Sequence, residues 1–334
     1  MGSATASGAT ATAGPALLEV TDLVKHYRVR SGGSMARSGP LRAVDGVSFR
    51  VAAGETLGLV GESGGGKTTV GLSVLRLIQP SGGSVTFEGR DVLAAGRTEM
   101  KALRQRMQIV FQDPIGALDP RKSVGDSVAE GLRIQGLAFR SQSRQRAVEV
   151  LDRVGLTAAQ ARSLPHELSG GQLQRVGIAR ALALDPRLVV CDEPVSALDV
   201  SIQAQIINLL LDLQAERGLA YLFIAHDLAL VRHISDRVAV MYLGRIVESA
   251  PAGELFDNPA HPYTRALLSA VPADHPAAAR QRIVLRGEIP SATAPQRGCP
   301  FAPRCPDAMA KCSEETPEFK EVAPGRWAAC FLND

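Results

Sequence analysis

The segment Gly61-Glu-Ser-Gly-Gly-Gly-Lys-Thr68 sets three glycines before a lysine and a threonine, matching GxxxxGK[ST]. Backbone N–H groups in such a loop wrap phosphate oxygens, and glycine permits the backbone angles that the wrap demands. A helix starting at the lysine points its positive end at the same anion. In this chemistry Lys67 reaches the β- and γ-phosphates and Thr68 holds Mg2+. A second element, Leu188-Val-Val-Cys-Asp-Glu193, ends an apolar run in two carboxylates. Such a strand end lets Asp192 hold the magnesium shell while Glu193 polarises an attacking water. Acids at a strand end are common in isolation. Together with a phosphate loop they imply nucleoside triphosphate hydrolysis.

The elements that must position these groups are legible around them. ETLGLVGESGGGKTTVGLSVLRLI passes from a buried apolar strand through the glycine turn into helical spacing. Upstream, Leu17 to Arg30 alternates and is β-branched, Ser31 to Pro40 reads as a flexible hairpin insert, and LRAVDGVSFRV returns as a strand. Arg97 to Arg180 is mostly helical in pattern, broken by DPIGALDP and LPHELSGG. PRLVVCDEP and AYLFIAHD are short apolar runs, as expected of parallel strands buried on both faces. Strands alternating with helices imply an α/β sheet with a helical insert. Beyond about Ala250 the chain turns proline-rich and loop-rich, which sets a domain boundary there.

Composition narrows the class. With 45% hydrophobic and 21% charged residues the chain reads as globular and soluble, and a net charge of +3 gives no argument for a nucleic-acid partner. No apolar run is long enough to span a bilayer, and no segment has signal-peptide layout. Residues 1–15 are small, polar and uncharged, and read as a disordered tail. A reducing compartment is therefore expected, and disulfides are disfavoured.

Leu168-Ser-Gly-Gly-Gln172, then LQRVGIARAL and CDEPVSALD, carry a resemblance to the ATP-binding cassette (ABC) ATPases, spanning roughly Leu18 to Glu248. It implies a RecA-like P-loop ATPase core with an antiparallel β subdomain and a helical subdomain at about 113–171, all within 16–250. It also implies ATP and Mg2+ as ligands. ATP binding would fall to Gly61, Glu62, Ser63, Gly64, Gly65, Gly66, Lys67, Thr68, Thr69 and Asp192, with Tyr27 stacking on adenine. Gln112 in VFQDP matches the glutamine that contacts Mg2+ or water, so Thr68, Gln112 and Asp192 form the expected magnesium set. His226 in IAHD matches the switch histidine placed to contact the γ-phosphate, beside Glu193 in the catalytic group. Ser169, Gly170, Gly171 and Gln172 would serve the ATP of a partner subunit, and Asp199 would span the dimer seam.

DEPVSALDVSIQAQIINLL, NPAHPYTRALLSAVP and the cysteine-bearing end resemble more narrowly the ATP subunits of bacterial oligopeptide, dipeptide and nickel importers. PVSALDVS with PHELSGGQLQR resembles the second of their two unequal ATPases. The resemblance implies a sibling ATPase, two permease subunits, an extracytoplasmic solute-binding protein, and a peripheral position on the cytoplasmic face of the plasma membrane. The alternative is a soluble ABC ATPase acting on nucleic acid or ribosomes. A single phosphate loop and the short interval from Thr68 to Leu168 weigh against it. In HPYTRALL, Pro262 fits a first helical turn, with Ala266, Leu267 and Ala270 as the expected apolar face.

Four of the five cysteines lie near the end, as C-x5-C-x6-C-x17-C from Cys299 through Cys305 and Cys312 to Cys330. Zinc sites usually include a close C-x2-4-C pair, and ferredoxin spacing is absent too. Wider loops with proline after Cys299 and Cys305 suit a [4Fe–4S] cluster, and the importer resemblance implies the same. Zinc, or unligated or disulfide-bonded cysteines, remain open. The expected organisation is thus a loop-rich 251–334 extension carrying a four-cysteine metal site. Cys191, inside an apolar strand, reads as core.

Overall fold

The computed structural model describes residues 16–28, 40–271, 283–285, 287, 290–291, 293 and 297–334. The tail at 1–15 and most of the 31–40 insert lie outside the described residues. The strands are β1 (Ala16–Tyr27), β2 (Leu41–Ala52), β3 (Thr56–Val60), β4 (Gly82–Phe87), β5 (Arg90–Asp91), β6 (Met107–Val110), β7 (Leu188–Asp192), β8 (Ala220–Ala225), β9 (Arg237–Tyr242), β10 (Arg245–Pro251), β11 (Lys320–Ala323) and β12 (Arg326–Ala328). The α-helices are α1 (Lys67–Val74), α2 (Arg97–Arg106), α3 (Val124–Gln135), α4 (Arg140–Arg153), α5 (Gly170–Leu182), α6 (Val200–Arg217), α7 (Leu228–Ile234), α8 (Ala252–Asp257), α9 (Pro262–Ser269) and α10 (Ala310–Glu314).

Two compact units result. The first takes in the described residues up to Ala52, Leu57–Leu93 and His226–Asp334; the second, Ala53–Thr56 and Ala94–Ala225.

In the first unit β1 pairs antiparallel with β2 and β4. Alternation puts Leu18, Val20, Val44, Val47, Phe49 and Val51 in the core, as a sheet with one wet face requires. A second sheet of this unit joins β3 in parallel to β9, then adds β10 and β12 antiparallel, with β11 at the edge. Residues of the expected extension therefore continue the sheet, with Glu248 facing Ala328 and Ser249 facing Trp327.

Helix α9 forms where expected, with Pro262 in its first turn and His261 Nδ1 accepting the Tyr263 N–H. Its buried face differs from the expected one. Tyr263, Thr264, Ala266 and Leu268 are buried, Leu267 is half-buried and Ala270 is exposed. The helix ends at Ser269, which leaves Ala270 as its C-cap rather than on its face.

In the second unit β6, β7 and β8 run parallel, and every residue of β7 and β8 is buried. Burial on both faces is why these strands read as unbroken apolar runs. The stretch expected to be mostly helical also contains β6, four residues directly after α2. Ser123 caps α3 by accepting the Asp126 N–H, and Gly136 ends it in the left-handed region at φ 77°.

Candidate active site

Strand β3 feeds the phosphate loop and α1 leaves it. Gly61 has φ 150°, and a Cβ there would stand 2.2 Å from Met241 O. Gly66 has φ 97°, and its Cβ would meet Ala43 O at 2.0 Å. The loop is thus pressed against two carbonyls, and only glycine fits at either end. Gly65 N–H donates to Glu62 O at 3.1 Å, closing the turn. Lys67 is buried, and its Nζ donates to Gly61 O (2.8 Å) and Glu62 O (3.0 Å). The ammonium is therefore folded over the loop, where a phosphate oxygen can compete for it. Ser63, Gly64 and Thr68 are exposed and Thr69 is half-buried.

The same unit carries Tyr27 and His226. Tyr27 closes β1 at 37% exposure, with Lys25 Nζ 4.9 Å from its ring centroid. His226 is exposed and follows β8 directly, ahead of Asp227, which caps α7 by accepting the Ala229 and Leu230 N–H groups.

The second unit holds the carboxylates. Asp192 ends β7 and is 5% exposed. Glu193 takes φ 45°, a left-handed conformation uncommon for a non-glycine residue, and its N–H donates to Ile224 O at 2.9 Å. That turn brings its carboxylate to Gln112, whose Nε2 donates to Glu193 Oε2 at 3.0 Å. Cys191 is a core residue as expected: burial, then the neighbouring Asp192 charge, pushes its thiol far up.

Ser169 caps α5. Its Oγ accepts the Gln172 N–H at 3.4 Å, and Gln172 Oε1 accepts the Ser169 N–H at 2.9 Å. Gly170 and Gly171 lie in the first turn, where a Cβ on Gly171 would reach within 2.7 Å of Ile202 Cγ2. Asp199 stands at the N-cap of α6 with no side-chain cap bond, exposed like its neighbour Val200.

Cys299, Cys305, Cys312 and Cys330 all line one cavity of the first unit, together with His261, Phe301 and Asp307. Cys299 N–H donates to Cys312 O at 2.7 Å. Burial pushes the Cys299 and Cys330 thiols up and that of Cys305 to about 11. Among the described residues no group of three or more His, Cys, Asp or Glu is arranged to hold a metal ion.

Two residues at the phosphate loop had no sequence signal. Arg304, next to Cys305, donates from both guanidinium arms to the Glu62 carboxylate at 2.8 and 3.0 Å. Tyr263 OH accepts the Glu62 N–H at 3.0 Å. Their separation from Glu62 along the chain left no local pattern to read.

A glycine-wrapped lysine loop between strand and helix, a strand ending in paired acids, and a serine-capped glycine helix start define a P-loop ATPase of the cassette type. Residues 44–196 match the family model described as ABC transporter, and residues 247–312 match the oligopeptide/dipeptide transporter C-terminal region. The chain belongs to the ATP-binding proteins of ABC transporters. It is 52% identical over 318 residues to a protein of Brucella ovis described as a peptide import ATP-binding protein, covering 95% of this chain and 98% of that one. It is 50% identical to the oligopeptide transport ATP-binding protein AppF of Bacillus subtilis, covering 95% and 97%. Among solved structures, a dimeric ABC cassette in a post-hydrolysis state with ADP and Pi superposes with TM-score 0.63 at 27% identity, covering 70% of this chain and 98% of that one.

Proposed function

We propose that the protein is the ATP-hydrolysing motor subunit of a bacterial ABC importer for peptides or a related solute such as nickel. The observation that carries this reading is the cassette core and the oligopeptide/dipeptide C-terminal region on one chain, with relatives alike along 95% of its length.

The phosphate loop binds ATP through its N–H groups and Lys67, and Tyr27 stacks on the base. Thr68, Asp192 and Gln112 would hold Mg2+, which would supply positive charge to the nucleotide's phosphates. Glu193 takes a proton from the attacking water, Gln112 orients the Glu193 carboxylate, and His226 contacts the γ-phosphate. Ser169, Gly170, Gly171 and Gln172 complete the nucleotide site of a sibling ATPase across a seam at Asp199. Two permease subunits receive the motion, and a solute-binding protein supplies the cargo. The chain lies peripherally on the cytoplasmic face of the membrane. Among the described residues no helix is long and apolar enough to cross it.

The four cysteines hold a [4Fe–4S] cluster in this reading, or Zn2+ as the alternative. Their common cavity supports a shared ligand.

Copurification from native membranes tests the assignment. Two permease subunits, a second ATPase and a solute-binding protein should accompany the full chain. Recovery with ribosomes or nucleic acid instead would overturn it.

A further inference from the structure

Glu62 places a negative charge inside a loop built to receive polyphosphate. Its side chain is only partly exposed, at 27%. Left alone it would repel the nucleotide. Both arms of Arg304 cover it, and that side chain is 8% exposed. A bidentate arginine–carboxylate pair fixes geometry as well as charge.

The peptide group of Glu62 is engaged on both sides. Its N–H goes to Tyr263 OH, and its carbonyl accepts from Lys67 Nζ and Gly65 N–H. Tyr263 is itself wedged against Tyr242 and Phe301, with ring centroids 4.7 and 5.4 Å away. Phe301 and Arg304 belong to the same short stretch as Cys299 and Cys305. The cysteine-bearing extension thus reaches the phosphate loop through one ion pair and one hydroxyl.

We propose that Arg304 is a positioning residue of the nucleotide site: it cancels the charge of Glu62 and thereby sets affinity for the nucleotide's phosphates. The inference rests on the ATP reading of the loop and goes beyond it by making the C-terminal extension part of the nucleotide site. It predicts an ordering by charge. Arg304→Ala leaves the loop one charge more negative, Glu62→Gln leaves it one more positive, and the double variant is neutral again.

The test is equilibrium binding of ATP with Mg2+ to the full-length chain, for the wild type, the two single variants, the double variant and Lys67→Ala. Arg304→Ala should bind about tenfold more weakly, Glu62→Gln more tightly than wild type, and the double variant within about twofold of wild type. The deficit of Arg304→Ala should shrink as salt is added. Unchanged binding by Arg304→Ala would overturn the proposal. So would weakening in both single variants, which is what a purely structural clamp produces. If Arg304→Ala does not fold, the near-isosteric Glu62→Gln decides alone: equal or weaker binding overturns the proposal, and tighter binding upholds it. Failure of the wild type to bind ATP would remove the ATP assignment itself. Binding that is lost in Lys67→Ala but untouched in Arg304→Ala removes only the role of Arg304.

Discussion

Gln112 Nε2 donates to Glu193 Oε2 at 3.0 Å, joining the loop after β6 to the acid beyond β7. The bond holds the orientation of the Glu193 carboxylate. Glu193 also carries a left-handed backbone, so its side chain is aimed by both main chain and partner.

Glu193→Gln should therefore retain ATP binding while turnover in the assembled transporter falls by about 10²–10⁴-fold, the usual contribution of a general base. Gln112→Ala should also lower turnover, since it removes both the bond that orients Glu193 and a side chain assigned to Mg2+. Single-turnover hydrolysis with a parallel ATP-binding measurement checks both. Full activity in Glu193→Gln would contradict its role.

Lys67→Ala should act earlier, weakening nucleotide binding itself. The Nζ that now rests on Gly61 O and Glu62 O is the only lysine amine in the loop. Titration with ATP and Mg2+ should show lost affinity with an unchanged circular dichroism spectrum.

Gly66→Ala should be unstable as well as inactive. The new methyl would collide with Ala43 O and sit on a backbone at φ 97°. A loss of about 1–3 kcal/mol is expected from the strain alone, read as a lowered thermal midpoint. Gly64→Ala also meets a positive φ, but has open space around it. It should be milder.

The cysteine site is tested by anaerobic purification with iron, sulfide and zinc analysis and a visible spectrum. Iron and sulfide in equal amounts, lost together in Cys305→Ser, are expected for a cluster. Stoichiometric zinc without iron selects the alternative ligand.

Asp45 supplies a pH dependence. Burial raises its pKa, but this is outweighed by Arg245, His26 and Arg42, so the net value lies below that of a free aspartate. Arg245 Nη2 is 2.7 Å from Asp45 Oδ2, and His26 Nε2 is 3.0 Å from Oδ1. A carboxyl depressed in the folded state contributes stability above its unfolded pKa near 3.8 and loses it as pH falls through the folded value. Asp45→Asn should reduce stability at neutral pH and flatten the acid limb of the denaturation profile. An unchanged acid limb would show that the pair carries no linkage.

The phosphate loop, the acidic strand end and the helix at Pro262 were all readable from the sequence. Each depends on contiguous residues whose backbone angles, caps and apolar spacing act locally. β6 escaped because four residues beside a helix are too few to show a period. The buried face of α9 was misplaced because neighbouring segments, not helical spacing alone, decide which side of so short a helix is covered.

Sequence by itself determined which groups could do chemistry here: a lysine among glycines, paired acids after an apolar strand, and four thiols at the end. Tertiary structure decided their company. Only packing within each unit brings Met241 O and Ala43 O against the loop glycines, Gln112 onto Glu193, Arg304 onto Glu62 and the four cysteines around one cavity. These contacts join segments far apart in the chain. No local propensity encodes them, because they exist only once burial has ordered the strands and fixed which loops meet.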